Sequence, residues 1–382
     1  MNRRGFIVAA GLPWSTALGV HAADSHVSGE PSGAATPETS GLLLPVGAVA
    51  DGASHPLSSR FGNLDAARKQ YPHATTMVDE IDWCALQGAI NAADQRGGGA
   101  VYVPNTGRAY RLNRALTVNP NRVTVRGDGS TLDFRTLEFA ESAIRFKADG
   151  APAYGHERHL FEGFEIIGPG RNLHVAGVLF RTDTAGLSSR AQLQDCAIHG
   201  FFVGILFGDR AYGIGFSHVS VFDCAFCIQA PPNLLDAGET VSFSQCYFFN
   251  SQCLISNAGA FDLKFFACSL DYAGRLVRDN NGIIDLVGCR LEISPPVDPP
   301  LQNTNGGRIN MFGGFFLING PRDEVHAQEI FSLADPNTSV HLFGVAGWNW
   351  RTRSGKLTKG PGKIHWYEGV DITEAPPSIR HP

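Results

Sequence analysis

The sequence has no excess of positive charge. Its 31 Lys+Arg stand against 36 Asp+Glu, a formal net charge of −5 over 382 residues. A phosphate-backbone partner is therefore not expected, because nucleic-acid binding asks for a basic face. No apolar run is long enough to span a bilayer. No Cys-x-x-Cys pair is matched by a second one, so the eight cysteines do not compose a metal site, and no cofactor is implied. No helix-length periodic segment falls between residues 190 and 295, which excludes helical repeats, and the leucine-rich motif is absent too.

What is present begins at the amino end. In "MNRRGFIVAAGLPWSTALGVHAADSH", Arg3 and Arg4 precede an apolar run that closes on small residues at Ala22. That pattern is a signal peptide over 1–22, and "RRGFI" resembles the twin-arginine export signal, so a periplasmic or secreted protein is expected. The segment holds two arginines and no acid, so its removal takes the net charge to −7. Residues 23–45 are small, polar and Pro-rich, and are expected to be a disordered leader.

Five later segments align on cysteine: "LQDCAIHG", "VFDCAFCI", "FSQCYFFN", "FFACSLDY" and "LVGCRLEI", at Cys196, Cys224, Cys246, Cys268 and Cys289. Their spacings of 28, 22, 22 and 21 signal a solenoid. Apolar residues recur five and three before the cysteines (Val219/Val221, Val241/Phe243, Leu263/Phe265, Ile284/Leu286) and two after them (Ile198, Phe226, Phe248, Leu270, Leu291). Period-two alternation is a strand signal, and its parity switches just before the cysteine, so each repeat holds two short strands joined by a bend. The expected fold is all-β: a single-stranded right-handed parallel β-helix over 46–350, with rungs about 4.8 Å apart. The cysteines then form a column of packed thiols rather than crosslinks. Cys224 and Cys227 are expected on opposite faces.

"IDWCALQGAINAADQRGGG" predicts a capping helix near 80–96. Leu86, Ile90 and Ala93 share one face, Asp82 is a candidate N-cap, and Gly97 to Gly99 stop the helix. Such a helix covers the open end of the first coil. With the strands that follow ("AVYVP", "YRLNRALTV", "VTVRGDGSTLDF") this segment resembles the entry of the pectate-lyase-like right-handed parallel β-helix superfamily. That group includes pectin-active enzymes, phage tailspike depolymerases and exopolysaccharide hydrolases or lyases. The resemblance implies a polysaccharide partner but carries no reaction, because the catalytic signatures of the polygalacturonases and pectate lyases are missing.

In this register the residues one and three after the cysteine point outward. The +3 column reads His199, Cys227, Phe249, Asp271, Glu292, which stacks two carboxylates on successive rungs. Mutual repulsion should raise the pKa of one of them, as glycoside hydrolysis requires. At a carboxyl separation of about 5 Å the geometry is nearer the retaining kind. The expected roles are Asp271 as acid and Glu292 as nucleophile or base, with Arg290 keeping Glu292 ionised and Tyr247, Phe249 and Tyr272 offering sugar-stacking surface. A surface ion network without substrate, or a noncatalytic sugar-binding face, fits the same residues. Arg275 and Arg278, expected in a turn after Asp271, would with Tyr272 serve a lyase acting on a uronate polymer.

Lys264 and Asp285 are expected to pair on the surface, and His199 lies three rungs from Asp271. His156 and His159 sit in a polar loop. Trp348 and Trp350 are expected to share one face, before a cap or tail over 351–382.

Overall fold

A computed structural model describes residues 42–138, 140–148, 160–182, 188–189, 191–234, 236, 238–294, 299–318 and 327–373. The expected signal peptide and leader, and the loop holding His156 and His159, lie outside the described residues apart from the end of the leader, where Leu42–Leu43 form a strand.

The chain winds as a right-handed parallel β-helix with three strands per coil. One coil is Asp262–Phe266, Ser269–Ala273 and Arg275–Asn280, and the next is Ile283–Val287, Arg290–Ile293 and Leu301–Asn303. Every strand pairs in parallel with its counterpart one coil away, and the third strands alone make a sheet of 10. Inward residues stack in file. Leu263, Ile284, Ile309, Val340 and Ile364 are successive ladder partners, and Phe216, Phe243 and Phe265 stack with centroids 4.6 Å apart.

The parity switch has a backbone cause. A residue of positive φ sits at the bend between first and second strands in each coil: Asp195, His218, Gln245, Ala267, Gly288, Gly313 and Gly344, with φ between 50° and 64°. One left-handed residue turns the chain and exchanges the faces.

The residue after each bend forms the predicted column, and Cys246, Cys268 and Cys289 do pile up: the Cys246 backbone N–H lies 3.4 Å from Cys268 Sγ. All eight cysteines are free and buried. One member was misplaced. The backbone bonds Ser220 N–H to Cys196 C=O and Tyr247 N–H to Val219 C=O put Val219, not Cys224, in the column. Cys224 and Cys227 lie further round the coil and are both buried, not on opposite faces, with Cys227 Sγ 3.2 Å from Ser251 Oγ. The true neighbour of Phe249 is thus Phe222 rather than Cys227.

A buried amide file, unforeseen in the sequence, runs beside the core. Asn257 Nδ2 donates to Asn280 Oδ1 and Asn280 Nδ2 to Asn303 Oδ1, both at 2.9 Å. Each amide satisfies the next, which removes the cost of burying it.

At the amino end, helix α1 (Leu64–Gln70) precedes helix α2 (Ile81–Gln95). Leu86, Ile90 and Ala93 of α2 are buried as expected. The N-cap is Glu80; Asp82 lies inside the first turn, buried, and accepts from the N–H groups of Val49, Ala50 and Arg111. Gln87 Oε1 accepts from Thr117 N–H at 2.8 Å and its Nε2 donates to Thr117 C=O at 3.1 Å. Trp83 Nε1 donates to Ala115 C=O. Side chains of α2 therefore take the place of a missing neighbour strand, closing an edge that would otherwise pair with another chain.

The coil also runs past its expected end at 350. Lys363–Trp366 pairs with Ser339–Phe343, and Asp371–Thr373 with Ala346–Trp348. No helix among the described residues is long and apolar enough to cross a membrane.

Candidate functional site

The second strands present one outward face along the coil axis. Its outer column reads His199, Phe222, Phe249, Asp271, with each residue the ladder partner of the next. The three rings stack at 4.6 and 4.8 Å, nearly parallel. Stacked rings occupy each other's faces, so this ladder stabilises the coil and offers only edges to a ligand. Tyr247 and Tyr272 differ. They are 53% and 58% exposed and stack on no other ring among the described residues, so their faces are open to a sugar.

Asp271 follows Phe249 by one rung. Its Oδ2 accepts a hydrogen bond from Ser269 Oγ, while its Oδ1 is buried and has no hydrogen-bond partner. The carboxyl pKa is raised. Desolvation is the main cause and the charge of Glu292 adds to it, against the Ser269 hydrogen bond and the Arg290 charge, which lower it. The expected direction is thus present at Asp271.

The carboxylates are not direct ladder partners. Leu270 pairs with Leu291 and Ala273 with Ile293, which sets Asp271 and Tyr272 against Glu292 alone. This is a bulge, a device that re-aims a side chain. Its second residue, Tyr272, has φ 48°, a left-handed conformation that costs a non-glycine residue energy and is concentrated at functional sites.

Glu292 departs from expectation in another way. It lies on the outward parity but is only 7% exposed, with Leu317 as its neighbour on the next rung. The acid pair is therefore not an open surface pair: one member is half-buried and the other is covered. Arg290 does reach Glu292, with Nη2 3.1 Å from Oε2, and its guanidinium also lies 5.7 Å from the Phe315 ring centroid.

The two other arginines are not in a turn. Both belong to the third strand Arg275–Asn280. Arg278 donates to Asp279 at 2.8 Å and lies over the Phe226 ring, on a different sheet from Asp271. Lys264 and Asp285 are ladder partners, but Lys264 pairs with Asp262 at 3.2 Å and Asp285 accepts from Asn310. His199 ends the ring ladder and lies 3.3 Å from Glu165.

Trp348 is exposed on the site face, two rungs beyond Glu292. Trp350 is fully buried and donates to Phe316 C=O. The positive φ of Asn349 turns them apart, so they share no platform. Among the described residues no cluster of three or more His, Cys, Asp or Glu could hold a metal ion.

No protein-family model matches the chain, and no curated protein sequence matches it. Solved structures do. The enzymatically active domain of tailspike protein 4 from bacteriophage CBA120 superimposes with a TM-score of 0.59 at 15% identity, over 75% of this chain and 43% of that one. The tailspike protein gp49 of Pseudomonas phage LKA1 aligns at 16% identity over 87% of this chain and 78% of its own, with a TM-score of 0.44. The chain thus spans less than half the length of the first of these, and at such identities the likeness establishes the parallel β-helix fold alone.

Proposed function

We propose that the chain is an exported, polysaccharide-active enzyme that hydrolyses a bacterial exopolysaccharide or capsule on the face built by its second strands. The observation that carries this reading is Asp271: a carboxyl of raised pKa, with one oxygen unpartnered, beside the unstacked rings of Tyr247 and Tyr272. A carboxyl that keeps its proton can protonate a glycosidic oxygen. Arg290 and Glu292 lie beside it; Glu292 serves as the second carboxyl once substrate or a moving side chain uncovers it. A long side face of stacked rungs suits a polymer better than a small ligand. The tailspike domain with the higher TM-score is described as enzymatically active, in keeping with this reading. Residues 1–22 direct export to the periplasm or beyond, by the twin-arginine route.

The test is release of new reducing ends from bacterial polysaccharides. Loss of release in Asp271→Asn and Glu292→Gln supports the reading; undiminished release in both removes this site. A lyase is the second reading. Ultraviolet absorbance from an unsaturated product would favour it. Retained binding without cleavage of any glycan would favour a noncatalytic binding or assembly role.

A further inference from the structure

A groove lies at the amino end of the coil, away from the Asp271 face. Between helix α2 and the first coil is a groove of about 820 Å³, lined among others by His73, Trp83, Asn91, Arg114, Thr117 and Glu138. It belongs to the coil of Leu116–Val118. The sheet of third strands places that coil six strands before the one holding Asp271, or about 29 Å along the axis.

The groove is built rather than incidental. Arg114 Nε donates to Asp79, whose carboxylate is fully buried and is held by the N–H groups of Thr75 and Thr76. The Arg114 guanidinium lies 5.7 Å from the Trp83 ring centroid, so ion pair and ring together fix its plane. That leaves the outer nitrogens at the groove with one long contact, Nη2 to Thr76 Oγ1 at 3.4 Å. His73 packs edge-on to Trp83, and its Nε2 is buried without a hydrogen-bond partner. Burial lowers the His73 pKa, which keeps the ring neutral. The side chain of Asn91 accepts from Gln87 through Oδ1, and its amide donates to no partner among the described residues. Glu138 is exposed on the opposite wall, and Val78, 65% exposed, adds apolar surface.

Arg114 is already neutralised by Asp79, His73 is uncharged, and Glu138 has no ion-pair partner among the described residues. An anionic ligand is thus disfavoured. Donors and acceptors alternate around an apolar patch, which is the chemistry that recognises hydroxyls projecting from a sugar ring. We propose that this groove is a second glycan-binding site, taking a neutral, hydroxyl-rich segment of a sugar chain. The proposal rests on the polysaccharide reading above for the identity of the polymer, but not on cleavage. A chain long enough to reach both sites binds with the advantage of two linked contacts.

The test is retention of the whole chain on an array of neutral and uronate-containing oligosaccharides. The wild type should retain neutral glycans. Asn91→Ala/Glu138→Ala, which leaves Asp79 and Arg114 intact, should retain them about tenfold less well, as for the loss of one or two hydrogen bonds. Arg114→Lys, which keeps the charge beside Asp79 but loses the planar fork, should weaken retention as well. Unchanged thermal melts exclude misfolding in both variants. Lys264→Ala, outside both the groove and the Asp271 face, should bind like the wild type. Retention of no neutral glycan, or of uronates alone, or retention untouched by the groove variants, overturns the proposal. Retained binding in a protein that cleaves nothing would defeat the catalytic reading and leave the groove standing; cleavage without neutral-glycan retention would do the reverse.

Discussion

Arg290 Nη2 lies 3.1 Å from the carboxylate of Glu292, and across a bulge on the preceding rung Asp271 has no such ion pair among the described residues. Two acids that feel each other's charge are thereby made unequal. Arg290 counterbalances one, while burial and repulsion favour the proton on the other.

If Asp271 is the proton donor proposed above, removing it should abolish the alkaline limb of activity. Asp271→Asn is expected to lower kcat by about 10²- to 10⁴-fold on a substrate with a poor leaving group. Because Asp271 must be protonated, wild-type activity should fall as pH rises through its elevated pKa. Rates on an activated aryl glycoside, whose leaving group needs no proton, should fall far less. Equal losses on both substrates would count against a general acid.

The same residue should cost stability at neutral pH. A carboxyl whose folded pKa exceeds its unfolded value stabilises the fold below the unfolded pKa, and that contribution is lost as pH rises through the folded one. Asp271→Asn is thus expected to raise Tm at pH 7 by about 1–2 °C, small because water screens the half-buried group, and not at pH 3. Calorimetry at both values checks it.

The amide file makes a sharper demand. Asn280→Ala leaves Asn257 Nδ2 and Asn303 Oδ1 each short of a partner inside the coil. Asn303 Oδ1 is left unpaired and Asn257 Nδ2 keeps only its bond to the Phe261 carbonyl, which predicts a loss of about 1–3 kcal/mol, read from the urea midpoint at unchanged slope. Asn281→Ala, one position on and nearer the surface, should cost less.

The thiols should be inert. All eight are buried, and desolvation pushes those of Cys196, Cys224 and Cys253 up to about 12. A chromogenic disulfide reagent at pH 8 is expected to modify none of them in the native protein and all eight in denaturant. Rapid native labelling of Cys246 or Cys268 would mean the column opens.

The solenoid was legible because period-two alternation and near-constant spacing survive in sequence, and the parity switch revealed the bend before any φ angle was known. The Cys224 slip shows the limit. "VSVF" alternates just as the flanking strands do, so pattern alone let the cysteine sit five residues off, and this hid Phe222. The amides Asn257, Asn280 and Asn303 were missed because "SNAG", "DNNG" and "NTNG" read as turn chemistry. The cover over Glu292 was illegible for another reason: parity fixes which way a side chain points, not what lies above it.

In a fold where each coil touches only its neighbours, coil number is also a length. The six steps between the groove beside α2 and the coil of Asp271 act as a molecular ruler graduated in units of one coil. Duplicating or deleting a whole coil between them would move the two by about 4.8 Å while leaving both intact.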